Sequence, residues 1–219
     1  METINDAAAL DLPVPAVPFA PRGIAWLRAS VARFSTGADH DRRRALAVAA
    51  LATVDPAALR RRAAELAGSR PPDLIAVEVL AEALGVTGSA EAVAAVARAY
   101  HPHLPSGPDT DAAVAELVAG CGEAWDEPTA ARIGLLVQAC AATAGLAGAA
   151  LRRPEADADA AVAAALRDDP PVRITRRVRD GRTVLVDISA LPFGSGPHAC
   201  PGQPHAVAIA AGIVEGSPR

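Results

Sequence analysis

Apolar residues recur at helical spacing through most of the chain, in segments that stop at glycine or proline. Asp55-Pro56 combines an N-cap with a proline in the first turn, and this predicts a helix that runs to about Ala67. Asp73 opens a second helix that Gly85 closes. Further helices are predicted at 91–100, at 111–118, from Pro128 onward and at 157–167. Alanine dominates the apolar positions and favours helix over sheet.

The longest apolar run, Ile133 to Leu151, contains no charged residue and is long enough to span a membrane. It consists mostly of alanine and glycine, and it contains Gln138 and Thr143. Alanine contributes little to membrane insertion. The pattern therefore predicts a buried central helix, and no membrane association is expected.

The pattern changes near the C-terminus. Two β-branched segments, 172–178 and 182–188, are joined by Asp180-Gly181, which predicts a hairpin. A glycine- and proline-rich loop over 191–205 then leads into a short apolar helix. At the other end, residues 1–21 hold four prolines and are interpreted as an extended arm, which leaves 22–219 as one domain.

Composition narrows the function classes. The chain has 219 residues, 51% of them hydrophobic, which excludes a disordered protein. A net charge of −4 and only six aromatic residues argue against nucleic-acid binding. Cys121, Cys140 and Cys200 are too few and scattered for a disulfide framework, and we find no signal peptide, so a cytoplasmic location is expected. His101 and His103 lie in a proline-rich loop and are expected in solvent.

Candidate chemistry concentrates at Cys200, which lies on a glycine-rich loop just before a helix. Backbone N–H groups and the positive helix end are expected to lower the pKa of its thiol and to make the sulfur a better metal ligand. The alternative is an incidental buried cysteine. A zinc site built from His198, Cys200 and His205 lacks a fourth ligand.

The loop Phe193-Gly-Ser-Gly-Pro-His-Ala-Cys-Pro-Gly202 resembles the haem-binding signature of the cytochrome P450 family, Phe-Gly-x-Gly-x-His-x-Cys-x-Gly, and matches it at every defined position. The resemblance implies a mainly α, compact, truncated cytochrome P450-like fold with one small β-hairpin, and haem b as the cofactor. Cys200 is then the thiolate ligand of the iron. The implied cofactor-binding residues of the loop are Phe193, Gly194, Gly196, His198, Cys200 and Gly202.

Other segments resemble the family in the same order along the chain. His40 and Arg44 are similar to the His and Arg that hold a haem propionate, and positions four apart share one helix face. Arg177, which follows Pro170-Pro171, is similar to another arginine that holds a propionate, and His198 completes the set. Without the resemblance, the first pair is a solvated basic run and Arg177 is an exposed strand residue.

The chain also departs from the family. It is little more than half the usual length, and Ala164 replaces the glutamate of the Glu-x-x-Arg motif. Arg167 must therefore pair with a neighbouring aspartate or reach solvent. The central helix keeps the family's catalytic threonine as Thr143, but Cys140 and Ala142 stand where a glycine and the acid of a proton relay are usual.

The resemblance implies an oxidoreductase of secondary metabolism, a monooxygenase or a peroxide-dependent enzyme, that acts on a small molecule. A ferredoxin-like redox partner or peroxide is expected. One alternative is a haem-thiolate enzyme of dehydration, rearrangement or N–O chemistry; another is a degenerate helper that stabilises a partner enzyme. Because shortening removes walls of the pocket, we expect a homodimer or a protein complex, with the arm at 10–21 available to wrap a neighbour.

Overall fold

The computed structural model describes residues 2–218, which form nine α-helices and one small sheet. The helices are α1 (Gly23–Ala29), α2 (Gly37–Ala52), α3 (Pro56–Leu66), α4 (Pro72–Leu84), α5 (Ala90–Arg98), α6 (Pro108–Gly120), α7 (Glu127–Leu151), α8 (Ala158–Asp168) and α9 (Gln203–Gly216). The strands are β1 (Thr3–Ile4), β2 (Ile174–Arg179) and β3 (Arg182–Asp187). Short 3-10 turns cover Ala7–Asp11, Ala32–Phe34 and Gly196–His198. The mainly α fold with a small hairpin is confirmed.

Local signals place most helix ends where the sequence predicts them. The Asp55 carboxylate accepts hydrogen bonds from the amides of Ala57 and Ala58 and caps α3. Gly85 ends α4 in the left-handed conformation, with φ of 63°. The hairpin turn has φ of 51° at Asp180 and 72° at Gly181, as its tight two-residue connection requires.

The long helix α7 is the centre of the core. It packs against α2, α4, α5, α6, α8 and α9. Ile133, Leu136 and Leu146 are fully buried. By length and composition α7 is apolar enough to cross a membrane, yet 56% of its most apolar window is buried inside the protein. The prediction of a buried central helix agrees with this packing.

The closest helix pair is α3 with α9, and glycine makes it possible. A Cβ at Gly212 would collide with the carbonyl of Arg60, and one at Gly216 with the carbonyl of Ala64. At the rim of this contact the Arg60 guanidinium binds Asp159 and Glu215. α9 is thereby fixed, and it begins directly after the Cys200 loop.

The N-terminal segment folds back onto its own chain, which corrects the expectation of a free arm. β1 runs parallel to β3, with Thr3 opposite Leu185, so the hairpin becomes a three-stranded sheet. The Pro13 carbonyl accepts a hydrogen bond of 2.8 Å from the amide of Val178. Leu10 is 2% exposed and belongs to a second small apolar cluster. Leu10 and Pro13 are therefore not available to wrap a neighbouring molecule.

Candidate functional site

The loop before α9 is a defined turn built on two glycines. The amide of Cys200 donates to the Phe193 carbonyl at 2.8 Å, which closes the loop on itself. Gly194 and Gly196 have φ of 68° and 65°, a region that side chains with a Cβ rarely adopt. A Cβ at Gly196 would also lie 2.5 Å from the Asp11 carboxylate. The N-terminal segment therefore contacts the loop and forms one wall beside it.

Cys200 is exposed, whereas Cys140 is buried in α7. The surrounding protein raises the pKa of the Cys200 thiol by desolvation, and the Gly202 amide opposes that rise. The prediction that the pKa of the Cys200 thiol is lowered is therefore wrong, because desolvation raises this pKa by more than the Gly202 amide lowers it. A solvent-accessible sulfur with protein on its other sides suits a ligand that approaches from the open side.

The start of α2 lies against this loop. His40 is 3% exposed, and its ring centroid lies 4.1 Å from that of His198. Nδ1 of His40 lies 3.0 Å from Asp41, while its buried Nε2 has no hydrogen-bond partner among residues 2–218. Arg44 donates from its guanidinium to the Ala199 carbonyl at 2.7 Å. The fold thus gathers His40, Arg44 and His198 around the cysteine loop.

Arg177 is 4% exposed, and the hydrogen bonds that its guanidinium donates within residues 2–218 all go to oxygen atoms without formal charge. Its guanidinium donates to the carbonyls of Leu10 and Arg176, at 3.1 and 2.8 Å, and to the Thr175 hydroxyl. Burial lowers the pKa of Arg177 to about 10, with a further contribution from Arg33. The interpretation of Arg177 as an exposed strand residue is therefore wrong, because its side chain is turned under the N-terminal segment.

α7 offers an open edge although most of it is buried. Gln138, Ala141 and Gly145 are exposed, and their spacing places them on one face of the helix. A Cβ at Gly145 would lie 3.0 Å from Pro171, which precedes β2. Thr143 is 2% exposed on the same helix. No hydrogen bond joins Thr143 to the cysteine loop within residues 2–218, so its catalytic role stays a prediction.

Three basic residues, Arg33, Arg176 and His101, carry no sequence signature, and only the fold brings them within reach of one another's charge. Arg33, in the 3-10 turn before α2, is partly buried, and this burial lowers its pKa. Arg176 is also partly buried. His101 is half-buried beside Phe34, not in solvent as expected, and burial followed by the charge of Arg33 lowers its pKa to about 4. The basic run at 42–44 indicated Arg44 as a candidate site residue on α2, whereas no motif in the sequence indicates Arg33.

The chemistry of these groups fits haem. Among the ion pairs formed within residues 2–218, none includes Arg33, Arg44, Arg176 or Arg177. Buried or half-buried guanidinium groups without carboxylates are costly unless an anion reaches them. Haem brings two carboxylates, a flat apolar ring and an iron that binds thiolate. The unpartnered Nε2 of His40 is a further polar atom that such an anion can satisfy.

The zinc arrangement considered from the sequence is not formed. Nε2 of His205 lies 3.2 Å from the carbonyls of both Leu51 and Val54, which turns this ring toward the α2–α3 connection. Within the described part of the chain, no three His, Cys, Asp or Glu side chains could hold a metal ion together.

The arginine that lost its usual glutamate is accounted for. Arg167 is 69% exposed and contacts the Asp168 carboxylate at 2.8 Å. Both expectations for this residue, a neighbouring aspartate and solvent, are confirmed. This position therefore adds no uncompensated charge to the core.

No model of a protein family matches the chain, and no curated protein matches it. Solved structures do match. P450BioI in complex with hexadec-9Z-enoic acid ligated acyl carrier protein is 18% identical with a TM-score of 0.72, over 95% of this chain and 81% of that chain. CYP164A2 of Mycobacterium smegmatis with econazole bound is 20% identical with a TM-score of 0.64, over 97% and 82%. Epothilone B-bound cytochrome P450epoK is 16% identical with a TM-score of 0.62, over 97% and 82%. The chain thus has a shortened cytochrome P450-like fold.

Proposed function

We propose that the protein binds haem b through the thiolate of Cys200 and oxidises a small metabolite. The observation that carries the proposal is the convergence of an accessible cysteine with cationic side chains that lack carboxylate partners. Arg44 of α2 donates to the Ala199 carbonyl of the loop, and Arg177 is held under the N-terminal segment that contacts the loop. The P450-like fold supports a haem-thiolate enzyme as the function.

Bound haem would supply an iron centre for oxidation, and the thiolate tunes it by donating electron density. The chain's own residues hold and orient the group. Arg44 and Arg177 supply charge-assisted hydrogen bonds to the propionates, and Nε2 of His40 gains an acceptor. His198 has a pKa lowered to about 4, by burial and then by His40 and the nearby arginines, so it is neutral at pH 7 and contributes as a hydrogen-bonding group.

We assign to the buried Thr143 of α7 the handling of protons, in line with the threonine at this position in the family. Ala142 beside it offers no carboxylate. This one observation favours a second candidate, a haem-thiolate enzyme that performs dehydration, rearrangement or N–O chemistry without activating oxygen. Thr143→Ala, compared with Thr129→Ala, tests the assignment, because Thr129 is equally buried in the same helix.

The decisive experiment is to load the purified protein with hemin and to record the carbon monoxide difference spectrum after reduction. Cys140→Ser and Cys121→Ser serve as controls, since both lie on other helices or their ends. We expect the thiolate-type band in the wild type and in both controls, and its loss in Cys200→Ser. A wild type that takes up no hemin, or a Cys200→Ser variant with an unchanged band, would refute the proposal.

Turnover then separates the two candidates. The loaded protein is supplied with NADH, a ferredoxin and its reductase in one arm, and with hydrogen peroxide in the other. Oxidation of a panel of small metabolites in either arm supports the oxidative enzyme. A stable thiolate spectrum without oxidation in both arms contradicts it and favours the second candidate.

We further propose that the haem-loaded protein associates, as a homodimer or with another protein. One structural neighbour is described in complex with an acyl carrier protein, so its fold accommodates a protein partner. Here the N-terminal segment already provides one wall of the site within the same chain. Sedimentation velocity of the haem-loaded protein tests the homodimer, and a monomer that keeps all its haem in dilute solution contradicts it.

A further inference from the structure

The site holds more positive charge than haem neutralises, and the following inference rests on the proposed function. Arg33, Arg44, Arg176 and Arg177 all lack a carboxylate partner within residues 2–218. Two propionates supply two negative charges. The charge of Asp11 also acts on Arg177, so the arginines left without an anion are Arg33 and Arg176, and both are partly shielded from water.

The four arginines divide into two groups by position. Arg44 binds the cysteine loop, and Arg177 binds the N-terminal segment that contacts this loop. Arg176 is the next residue on β2, and successive side chains of a strand point to opposite faces. Consistent with this, besides burial, the charge of Arg176 lowers the pKa values of His101 and His103. Besides burial, the pKa of His198 is instead lowered by the charges of His40, Arg177, Arg33 and Arg44.

The guanidinium carbon of Arg33 lies 6.0 Å from the centroid of the Phe34 ring, and the charge of Arg176 contributes to the lowered pKa of Arg33. The next residue, Phe34, packs its ring 5.1 Å from that of Tyr100 and 6.4 Å from that of His101. The Phe34 ring is therefore an apolar neighbour of Arg33 and Arg176. The Tyr100 hydroxyl is buried and has no hydrogen-bond partner in the described part of the chain, and the charge of Arg33 opposes the rise in its pKa that burial causes. The two arginines without carboxylate partners are thus flanked by the rings of Phe34 and Tyr100 and by the buried Tyr100 hydroxyl.

We infer that Arg33 and Arg176 form a subsite for the oxyanion group, carboxylate or phosphate, of an anionic substrate whose apolar part lies along Phe34. Two guanidinium groups offer several N–H donors in a geometry that suits either oxyanion. The other two arginines stay with the propionates. The substrate class for the proposed oxidation is then an apolar molecule that carries one acidic group.

The test compares dodecanoic acid, dodecyl phosphate and the uncharged dodecanamide as probes of the haem-loaded protein. Binding is followed by the change in the haem absorption band and, independently, by calorimetry. We expect at least one of the two anions to bind about tenfold or more tightly than the amide, because charge-assisted hydrogen bonds are lost with the amide. The anion that binds more tightly identifies the oxyanion. Equal binding of all three probes, or binding of none, overturns the inference.

Variants separate this subsite from the propionate site. Arg33→Gln and Arg176→Gln are each expected to weaken binding of the anion about tenfold and to leave amide binding and haem affinity unchanged. Arg182→Gln, on the exposed end of the hairpin, removes the same charge and is expected to change nothing. If the double variant instead loses haem, the two arginines hold propionates and the inference is wrong while the proposed function stands. If the wild type takes up no haem, the proposed function itself fails, and the inference with it.

Discussion

Arginines at two ends of the molecule have opposite surroundings. At the α3–α9 contact, Arg60 binds both oxygens of Asp159 at 2.9 Å and also binds Glu215. Its neighbour Arg62 is paired with Glu65 and Glu82. Near Cys200, by contrast, Arg44 and Arg177 bind carbonyl oxygens. The first set is paired with carboxylates, whereas Arg44 and Arg177 form no ion pair within residues 2–218, although the charge of Asp11 acts on Arg177.

The difference shows what each set does. The hydrogen bonds to carboxylates raise the pKa of Arg60 and hold its charge at the rim of a packed interface. Burial lowers the pKa of Arg177 and Arg33, which means that the fold alone does not favour their charged forms. A buried arginine charge without a carboxylate lowers the free energy of unfolding unless a bound anion compensates it. The paired arginines hold their charge through carboxylates of the fold, and the proposed function assigns the arginines without carboxylate partners to a bound anion.

The largest expected effect is on haem affinity, when residues beside the Cys200 loop are replaced. His40→Ala combined with Arg44→Ala should raise the dissociation constant of haem about a hundredfold or more, because each substitution removes a charge-assisted hydrogen bond of roughly 1.5–3 kcal/mol. Titration with hemin measures the change. Arg62→Ala, from the paired end, should leave haem affinity unchanged, and a double variant with wild-type affinity would remove these residues from the site.

The next largest effect is on stability, when the α3–α9 contact is disturbed at a position that is not assigned to haem binding. Gly212→Ala places a Cβ against the Arg60 carbonyl and should lower the free energy of unfolding by about 1–3 kcal/mol, since α3 and α9 must separate. Urea denaturation measures it. Gly148→Ala is the control, because its Cβ would meet only the end of the flexible Arg152 side chain, and it should be neutral or stabilising. Equal stability of both variants would contradict the close helix contact.

A third prediction concerns the N-terminal segment. Leu10→Ala should lower the free energy of unfolding by about 2 kcal/mol, toward the small end of the usual range because its apolar cluster is small. Since the Leu10 carbonyl binds Arg177, we also expect faster loss of haem. Thermal unfolding and haem-transfer kinetics measure the two effects. Leu191→Ala is the control at an exposed position of the same corner; an equal effect there would show that the segment is not anchored through Leu10.

The smallest effect tests a paired carboxylate by pH. Hydrogen bonds from Arg42 and Arg43 lower the pKa of Glu127 to about 2, from an ordinary value near 4.5. The carboxylate therefore stabilises the fold above about pH 4.5, and this stabilisation is lost as the pH falls toward 2. At 27% exposure it is worth about 1 kcal/mol. Glu127→Gln should remove this part of the acid dependence in urea titrations at pH 3 and pH 6, whereas Glu91→Gln should not.

The sequence by itself determined the elements and the chemistry of the loop. Caps such as Asp55 and Gly85, and the turn at Asp180-Gly181, act within a few residues, so local rules predict them. The ten-residue loop that ends at Gly202 marks Cys200 as the candidate ligand, and its glycines supply the positive φ values that the turn requires. A spacing of four on one helix likewise placed His40 and Arg44 on a common face.

Only the tertiary structure decided which charges meet. Arg33, Arg176 and His101 lie far apart in the sequence, and nothing around them predicts that they share a site; chain folding brings them within electrostatic reach. The N-terminal prolines indicated an arm, but β-pairing with β3 and the burial of Leu10 made it a wall of the site. Such contacts depend on apolar burial and long-range pairing between distant segments, and no local pattern encodes them.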